Sequence, residues 1–217
     1  MTATAGPSRV LEAARTALPT RYGHFQAIGF FDYGTGEEHL ALVSPLGLGP
    51  PREPPIVRVQ SECLTGEVFG SQRCDCRLQL DLALSHVARN PGLIIYLRGQ
   101  EGRGVGLLAK LEAYTLQDQG LDTVDAQLQL GLPIDDREYG AAAAILDSLG
   151  RSRIRLLTNN PRKVAGLGVA GIDVIAVEPL LTPPTPSNVG YLRAKRDRLG
   201  HHLPADLDRN SGRRPRH

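Results

Sequence analysis

Cys63, Cys74 and Cys76 are the only cysteines in the 217-residue chain, and they fall together at the spacing C-x10-C-x-C. A zinc ion held by three thiolates keeps one tetrahedral position open, which is the arrangement of a catalytic rather than a structural site. Two other readings stand beside it. Free cysteines often pack as small apolar side chains, and a disulfide would leave one thiol over from an odd count. Arg73 and Asp75 flank the Cys74/Cys76 pair, and Gly66 and Gly70 make the intervening segment read as a loop. That context favours a metal. The C-x-C spacing also differs from the C-x-x-C of thiol-redox proteins.

Elements must carry these residues. Phe25, Ala27, Gly29 and Phe31 alternate, Gly34 and Gly36 follow, and the apolar pattern resumes at Leu40 and Leu42; this reads as a β-hairpin with a longer loop. The proline-rich stretch 45–55 is a connection. Residues 56–59 form a short strand that delivers Arg58 and Glu62 to the cysteine loop. Leu78, Leu82, Leu84 and Val87 recur at helical spacing over 77–89, and the apolar run 93–97 suits a strand buried on both faces. Helices follow over 107–119, ended by Gly120, and over 122–130, capped by Asp122 or Thr123. Asp135 or Asp136 is expected to cap a helix over 137–149, ended by Gly150. A strand at 154–157, a helix over 161–169 with Pro161 near its first turn, a strand at 172–177 and a helix over 188–200 complete the chain. The alternation from 93 to 177 predicts an α/β fold: a layered α/β/α arrangement with a mixed, partly parallel sheet and an N-terminal β-rich portion. Residues 1–17 read as an arm or a weak helix (Val10, Leu11, Ala14, Leu18). The Arg-rich 204–217 reads as a solvated, disordered tail.

Composition narrows the partners. With 25 basic and 23 acidic residues the net charge is +2, too small for long-range attraction to nucleic acid or a membrane. Aromatic residues are 5% and Trp is absent, which disfavours a base-stacking platform. No apolar run approaches the ~18 residues of a membrane span, and the N-terminus lacks the apolar centre of a signal peptide. A cytoplasmic location with reduced thiols is the expectation.

Four motifs in order go further. VRVQSECLTGEVFGSQRCDC, QEGRGVGLLAKLEAYTLQDQGLDTVDA, DDREY and RLLTNNPRKV resemble those of GTP cyclohydrolase II, the first enzyme of riboflavin synthesis, and the likeness covers about residues 18–203. The resemblance implies a zinc- and magnesium-dependent homodimer. It would open the guanine imidazole ring of GTP and release formate and pyrophosphate, leaving a diaminopyrimidinone ribosylamino 5′-phosphate. It makes Cys63, Cys74 and Cys76 the zinc ligands. Arg58, Val59, Gln60, Ser61, Glu62, Gln79, Glu101, Gly102, Arg103, Thr123, Thr158 and Lys163 fall at its GTP-binding positions. Asp135 matches its proton acceptor, Arg137 its nucleophile, and Tyr114 a tyrosine near the metal. A dihydroxybutanone-phosphate synthase domain, often fused ahead of this one, has no counterpart in the sequence.

The residue types suit that chemistry. Guanine C8 is a poor electrophile, and zinc lowers the pKa of bound water towards ~7. Three thiolates blunt that acidity, so Tyr114 is the candidate acid or hydrogen-bond donor. Glu101 can accept from guanine N1–H and its amino group, a match that rejects adenine. Arg58, Arg103, Arg137 and Lys163 are the candidate phosphate cations. Lys163 sits in the first turn after TNNP, where free N–H groups and the helix dipole also favour phosphate. Attack by Arg137 on phosphorus would need a deprotonated guanidine, whose pKa exceeds ~12. A clamp on developing charge is the alternative role.

Several positions depart from the family pattern. Gln60 stands for a usual His, Glu67 for Asp, Ala109 and Glu112 for Asn and Arg, and Gln127 for Asn. Gly99 reads as a one-residue insertion. These departures leave open a relative that feeds a natural-product pathway or releases a partly hydrolysed formamidopyrimidine. A non-catalytic GTP-binding module is the third reading.

Overall fold

The computed structural model describes residues 8–207. Seven strands form one sheet in the order β1-β2-β3-β5-β4-β6-β7. The strands β1 (Val10–Thr20), β2 (Gly23–Asp32), β3 (Glu38–Val43) and β5 (Gly92–Leu97) pair antiparallel in that order, whereas β4 (Ile56–Ser61) pairs parallel with β5 and β6 (Arg153–Leu157), and β6 with β7 (Asp173–Glu178). The expected mixed sheet with a β-rich N-terminal part is therefore present.

Two apolar layers sandwich it. On one face Val57, Val59, Leu93, Ile95 and Leu156 pack with helix α5 (Gly140–Ser148) and helix α6 (Pro161–Val169). On the other Phe25, Leu42, Ile56 and Ile94 pack with Ala83 and Val87 of helix α2 (Cys76–Val87). This explains why β5 is apolar at every position: both of its faces are covered. At Gly92 a Cβ would run into the Ile56 carbonyl of β4, so glycine is what lets the two strands close. A one-turn helix α1 (Leu64–Glu67), helix α3 (Leu107–Asp118), helix α4 (Thr123–Gln129) and helix α7 (Val189–Asp197) gather at the ends of β4 and β5, where parallel α/β sheets place their ligands.

Four expectations need correction. The arm or helix at 1–17 is, from Val10, an eleven-residue strand; it pairs along β2 with a bulge at Ala13. An edge strand exposed on nearly all positions carries no periodic burial, so its apolar spacing misled. Residues 1–7 lie outside the described range. The helix expected over 137–149 starts only at Gly140 after Tyr139. Neither Asp135 nor Asp136 caps it, because Asp135 binds Arg137 instead. The cysteine loop contains the helical turn α1. The tail expected from 204 begins as ordered chain: Leu207 is buried, and Arg196 donates to the Pro204 and Ala205 carbonyls. Residues 208–217 lie outside the described range.

Asp32 ties the N-terminal segment to the sheet. Its carboxylate accepts two bonds from Arg9, at 2.9 Å each, and others from Gly34 N–H and Thr35 Oγ1. Burial favours the neutral acid, but these donors outweigh it and hold the pKa at about 2 against an ordinary 3.8. A depressed carboxylate stabilises the fold above its unfolded pKa, and that contribution is lost as pH falls through the folded value. Asp32→Asn is therefore less stable than the parent at neutral pH, and the two converge as pH drops from about 4 towards about 2. Urea midpoints across this range measure it; a gap unchanged at low pH would refute the assignment.

Candidate active site

The three thiols converge. Their Sγ atoms lie within 4.8 Å of one another, and Cys63 and Cys74 are 3.8 Å apart. Tetrahedral zinc with bonds of ~2.3 Å sets sulfur atoms about 3.8 Å apart, so the spacing fits. Gly66 makes room for the trio. A Cβ there would stand 2.7 Å from Cys74 Sγ and 3.2 Å from Cys63 Sγ. The thiols are coupled: hydrogen bonds from its two neighbours hold Cys63 far down, and the Cys63 bond pushes Cys74 up to about 11. Lys110 Nζ donates to Cys63 Sγ at 3.3 Å and to Glu101 Oε1 at 2.5 Å. Its positive charge lies where a three-thiolate metal complex would carry a net negative one.

A cavity opens over the trio. Ser61, Glu62, Glu101, Gly102, Arg103, Tyr114, Thr123 and Arg137 line it with the cysteines. Glu101 is buried, and its other oxygen accepts from Leu64 N–H at 2.6 Å. Tyr114 stacks under Arg73, with the guanidinium carbon 4.8 Å from the ring centre. Burial pushes its phenol pKa up, so the hydroxyl keeps its proton at neutral pH. The short 3-10 turn Glu101–Arg103 is conformationally forced. Arg103 takes φ +65°, the left-handed region that non-glycine residues rarely occupy. Gln127 accepts from Arg103 Nη1 at 2.8 Å and fixes the guanidinium, while Arg103 Nη2 is buried without a partner.

The second cavity is cationic. Arg58, Arg103, Arg137, Lys163 and Lys195 line it with Gln60, Gln79, Thr158 and Tyr191, and no carboxylate does. Ser61, Cys76, Arg103, Arg137 and Tyr191 belong to both cavities, so metal trio and cation pocket communicate. Lys163 is buried, donates to the Val59 carbonyl, and is pushed well below its ordinary pKa by burial and then by Arg58, Arg137 and Lys195. Such a pocket lacks negative charge. Arg137 is clamped by Asp135 through two bonds of 2.8 and 2.7 Å in the irregular segment before α5. Burial opposes its charge, but the Asp135 bonds prevail and raise the pKa. The guanidinium is thus a persistent cation.

The expected residues are not all equivalent. Arg58 is buried with its donors committed to Gln60, Gln79 and the Leu157 carbonyl; it buttresses the pocket. The Val59 side chain sits in the core and offers only its carbonyl. Asp135 reaches the pocket through Arg137. Thr123 lies on the metal side, and Thr158 lines the cation pocket. Lys110, Tyr191 and Lys195 were absent from the sequence reading. A usable signal existed: Lys110 and Tyr114, like Tyr191 and Lys195, are four apart on one helix face.

Comparison with known proteins places this arrangement. The GTP cyclohydrolase II family pattern matches residues 11–179. The chain is 56% identical over 191 residues to the GTP cyclohydrolase-2 of Streptomyces coelicolor, covering 87% of this chain and 85% of that protein. It is 52% identical over 202 residues to the riboflavin biosynthesis protein RibBA of Mycobacteroides abscessus, and 53% over 198 residues to that of Mycobacterium tuberculosis H37Rv. These alignments cover 92% and 90% of this chain but 48% and 46% of the relatives, so the chain spans about half their length. The chain belongs to the GTP cyclohydrolase II family of enzymes.

The space that Gly66 leaves supplies a test. Gly66→Ala crowds the Cys74 and Cys63 thiols and the Cys76 Cβ while removing no ligand, and perturbed support of a metal site costs roughly 10–100-fold in affinity. Chelator competition is expected to show zinc bound at least about tenfold more weakly by this variant, with helix content by circular dichroism unchanged. Equal affinity would mean that the trio does not hold the metal.

Proposed function

We propose that this chain is a zinc-dependent GTP cyclohydrolase II that converts GTP to 2,5-diamino-6-(5-phospho-ribosylamino)pyrimidin-4(3H)-one, formate and pyrophosphate at the head of riboflavin synthesis. One observation carries the reading: a three-thiol cluster of zinc dimensions opens into a cavity continuous with a carboxylate-free cation pocket. The substrate it fits is one with a hydrolysable ring at one end and a polyanion at the other.

Cys63, Cys74 and Cys76 would hold the metal, which when bound supplies a water nucleophile at neutral pH. Lys110 offsets the thiolate charge and holds Glu101, which would accept from the guanine edge. Tyr114 keeps its proton and donates it as the C8–N9 bond opens. The triphosphate, with Mg2+, extends into the cation pocket, where phosphate would favour the charged form of Lys163. Arg137 acts as a clamp on charge developing at the α-phosphate, with Asp135 as its anchor. The raised pKa and paired Nε of Arg137 support clamping over nucleophilic attack. A homodimer in the cytoplasm belongs to the same proposal.

The test is direct. Zinc-loaded protein with Mg2+ and GTP should yield pyrimidine, formate and pyrophosphate in equal amounts. Arg137→Lys is expected to lose about 10²–10³-fold in kcat, the usual cost of one charge-stabilising donor, without a nucleotidylated protein being trapped in the parent. Release of pyrophosphate alone would assign a different reaction.

A further inference from the structure

The cation pocket is closed by a residue that the reading above leaves idle. After α7 the chain turns at Gly200, φ +67°, and His201 joins the pocket lining. The residue is anchored from two sides. His201 N–H donates to the Lys195 carbonyl at 3.0 Å, and His202 N–H donates to the Asn159 carbonyl at 2.8 Å. Asn159 belongs to the TNNP turn that also lines the pocket. The backbone thus fixes the imidazole between α7 and the turn before α6. Its Nδ1 is buried with no partner.

The groups facing it explain that vacancy in bonding. Lys195, Arg137 and Arg103 act on it as cations and Asp75 as an acid, itself bonded to Lys195 at 2.8 Å. No acceptor is bonded to Nδ1, and the pocket it lines holds no carboxylate that could serve as one. A nitrogen left alone there suits a donor waiting for an acceptor. Burial, and then those cations, hold the imidazole uncharged, with its pKa at about 3. A bound polyanion reverses the local field and supplies acceptor oxygens.

We propose that His201 is a further substrate-binding residue, whose Nδ1–H donates to a phosphate oxygen of the bound nucleotide. The assignment rests on the GTP reading for its biological ligand, but its chemistry is that of any linear polyphosphate. Inorganic tripolyphosphate is therefore the probe, since it binds whether or not GTP is turned over. His201→Ala removes the donor. His201→Asn keeps an amide N–H near the position of Nδ1.

Titration of zinc-loaded protein, followed by thermal shift, should show tripolyphosphate bound about tenfold more weakly by His201→Ala, the worth of one hydrogen bond to a charged group. His201→Asn should recover most of that loss. Guanosine, which has no phosphate, should bind both variants like the parent. Equal tripolyphosphate affinity in His201→Ala and parent overturns the proposal, even if GTP turnover is confirmed. Equal loss in both variants, or weakened guanosine binding, would make His201 a structural support only. If the parent fails to turn over GTP yet the tripolyphosphate pattern holds, the cyclohydrolase reading falls and this one stands.

Discussion

The site depends on one chain of buried polar contacts. Tyr96 donates to Glu67 at 2.6 Å, Gln60 to Glu67 at 2.5 Å, Arg58 to Gln60 and Gln79 at 2.8 Å, Gln79 to Asp75 at 2.7 Å, and Lys195 to Asp75 at 2.8 Å. It runs from β5 through α1, β4 and α2 to α7. Burying ions this way costs several kcal/mol for each unpaired member, so removing any one leaves its neighbour exposed to that penalty. The network is therefore rigid because it is expensive to break, not because it adds net stability. Asp75 lies between two of the thiols and Glu67 lies on α1 beside Cys63. The same contacts that satisfy buried charge thus fix the cysteine loop.

A second constraint is the separation of charge. On the thiol side, Lys110 stands against the Cys63 sulfur and Glu101. In the second cavity the walls are cationic, and the acids that balance them, Asp75 and Asp135, sit behind the lining. Facing walls of one sign repel each other in a weakly screened interior. They persist because each of Arg137 and Lys195 has its own carboxylate, while burial and the neighbouring cations lower the pKa of Lys163. The pocket is thereby preorganised for an anion that has not yet arrived, which is how such sites avoid reorganisation at the moment of reaction.

Much of this was legible in the chain. Element order followed from period and punctuation: Pro161 after the Asn160 cap, Asp122 before α4, and the glycines at 120 and 150 with positive φ all mark boundaries by local chemistry. The thiol trio was legible because cysteine is rare and its spacing short. What was hidden has a common cause. β1 is held by pairing to β2 and by Arg9 on Asp32, contacts that leave no periodic trace. Lys110, Lys195 and His201 act through burial, and a lysine on a helix looks the same in sequence whether it meets water or a thiolate.

The departures from the family pattern take on a shape in three dimensions. Gln60 and Glu67 are bonded to each other, and both belong to the buried chain. Gln127 holds Arg103, and Gly99 N–H donates to Glu62 at 2.9 Å. Glu112 is exposed. Only Ala109, among these, presents its side chain to the metal-side cavity without a polar contact. The Gln60 amide donates to the Glu67 carboxylate, so each satisfies the other's buried polar group, and changing either alone would strand its partner. Most of these positions therefore carry contacts that position the cavity lining rather than line it alone. Such contacts form in pairs, so a change at one member is tolerated only where the other can still be satisfied.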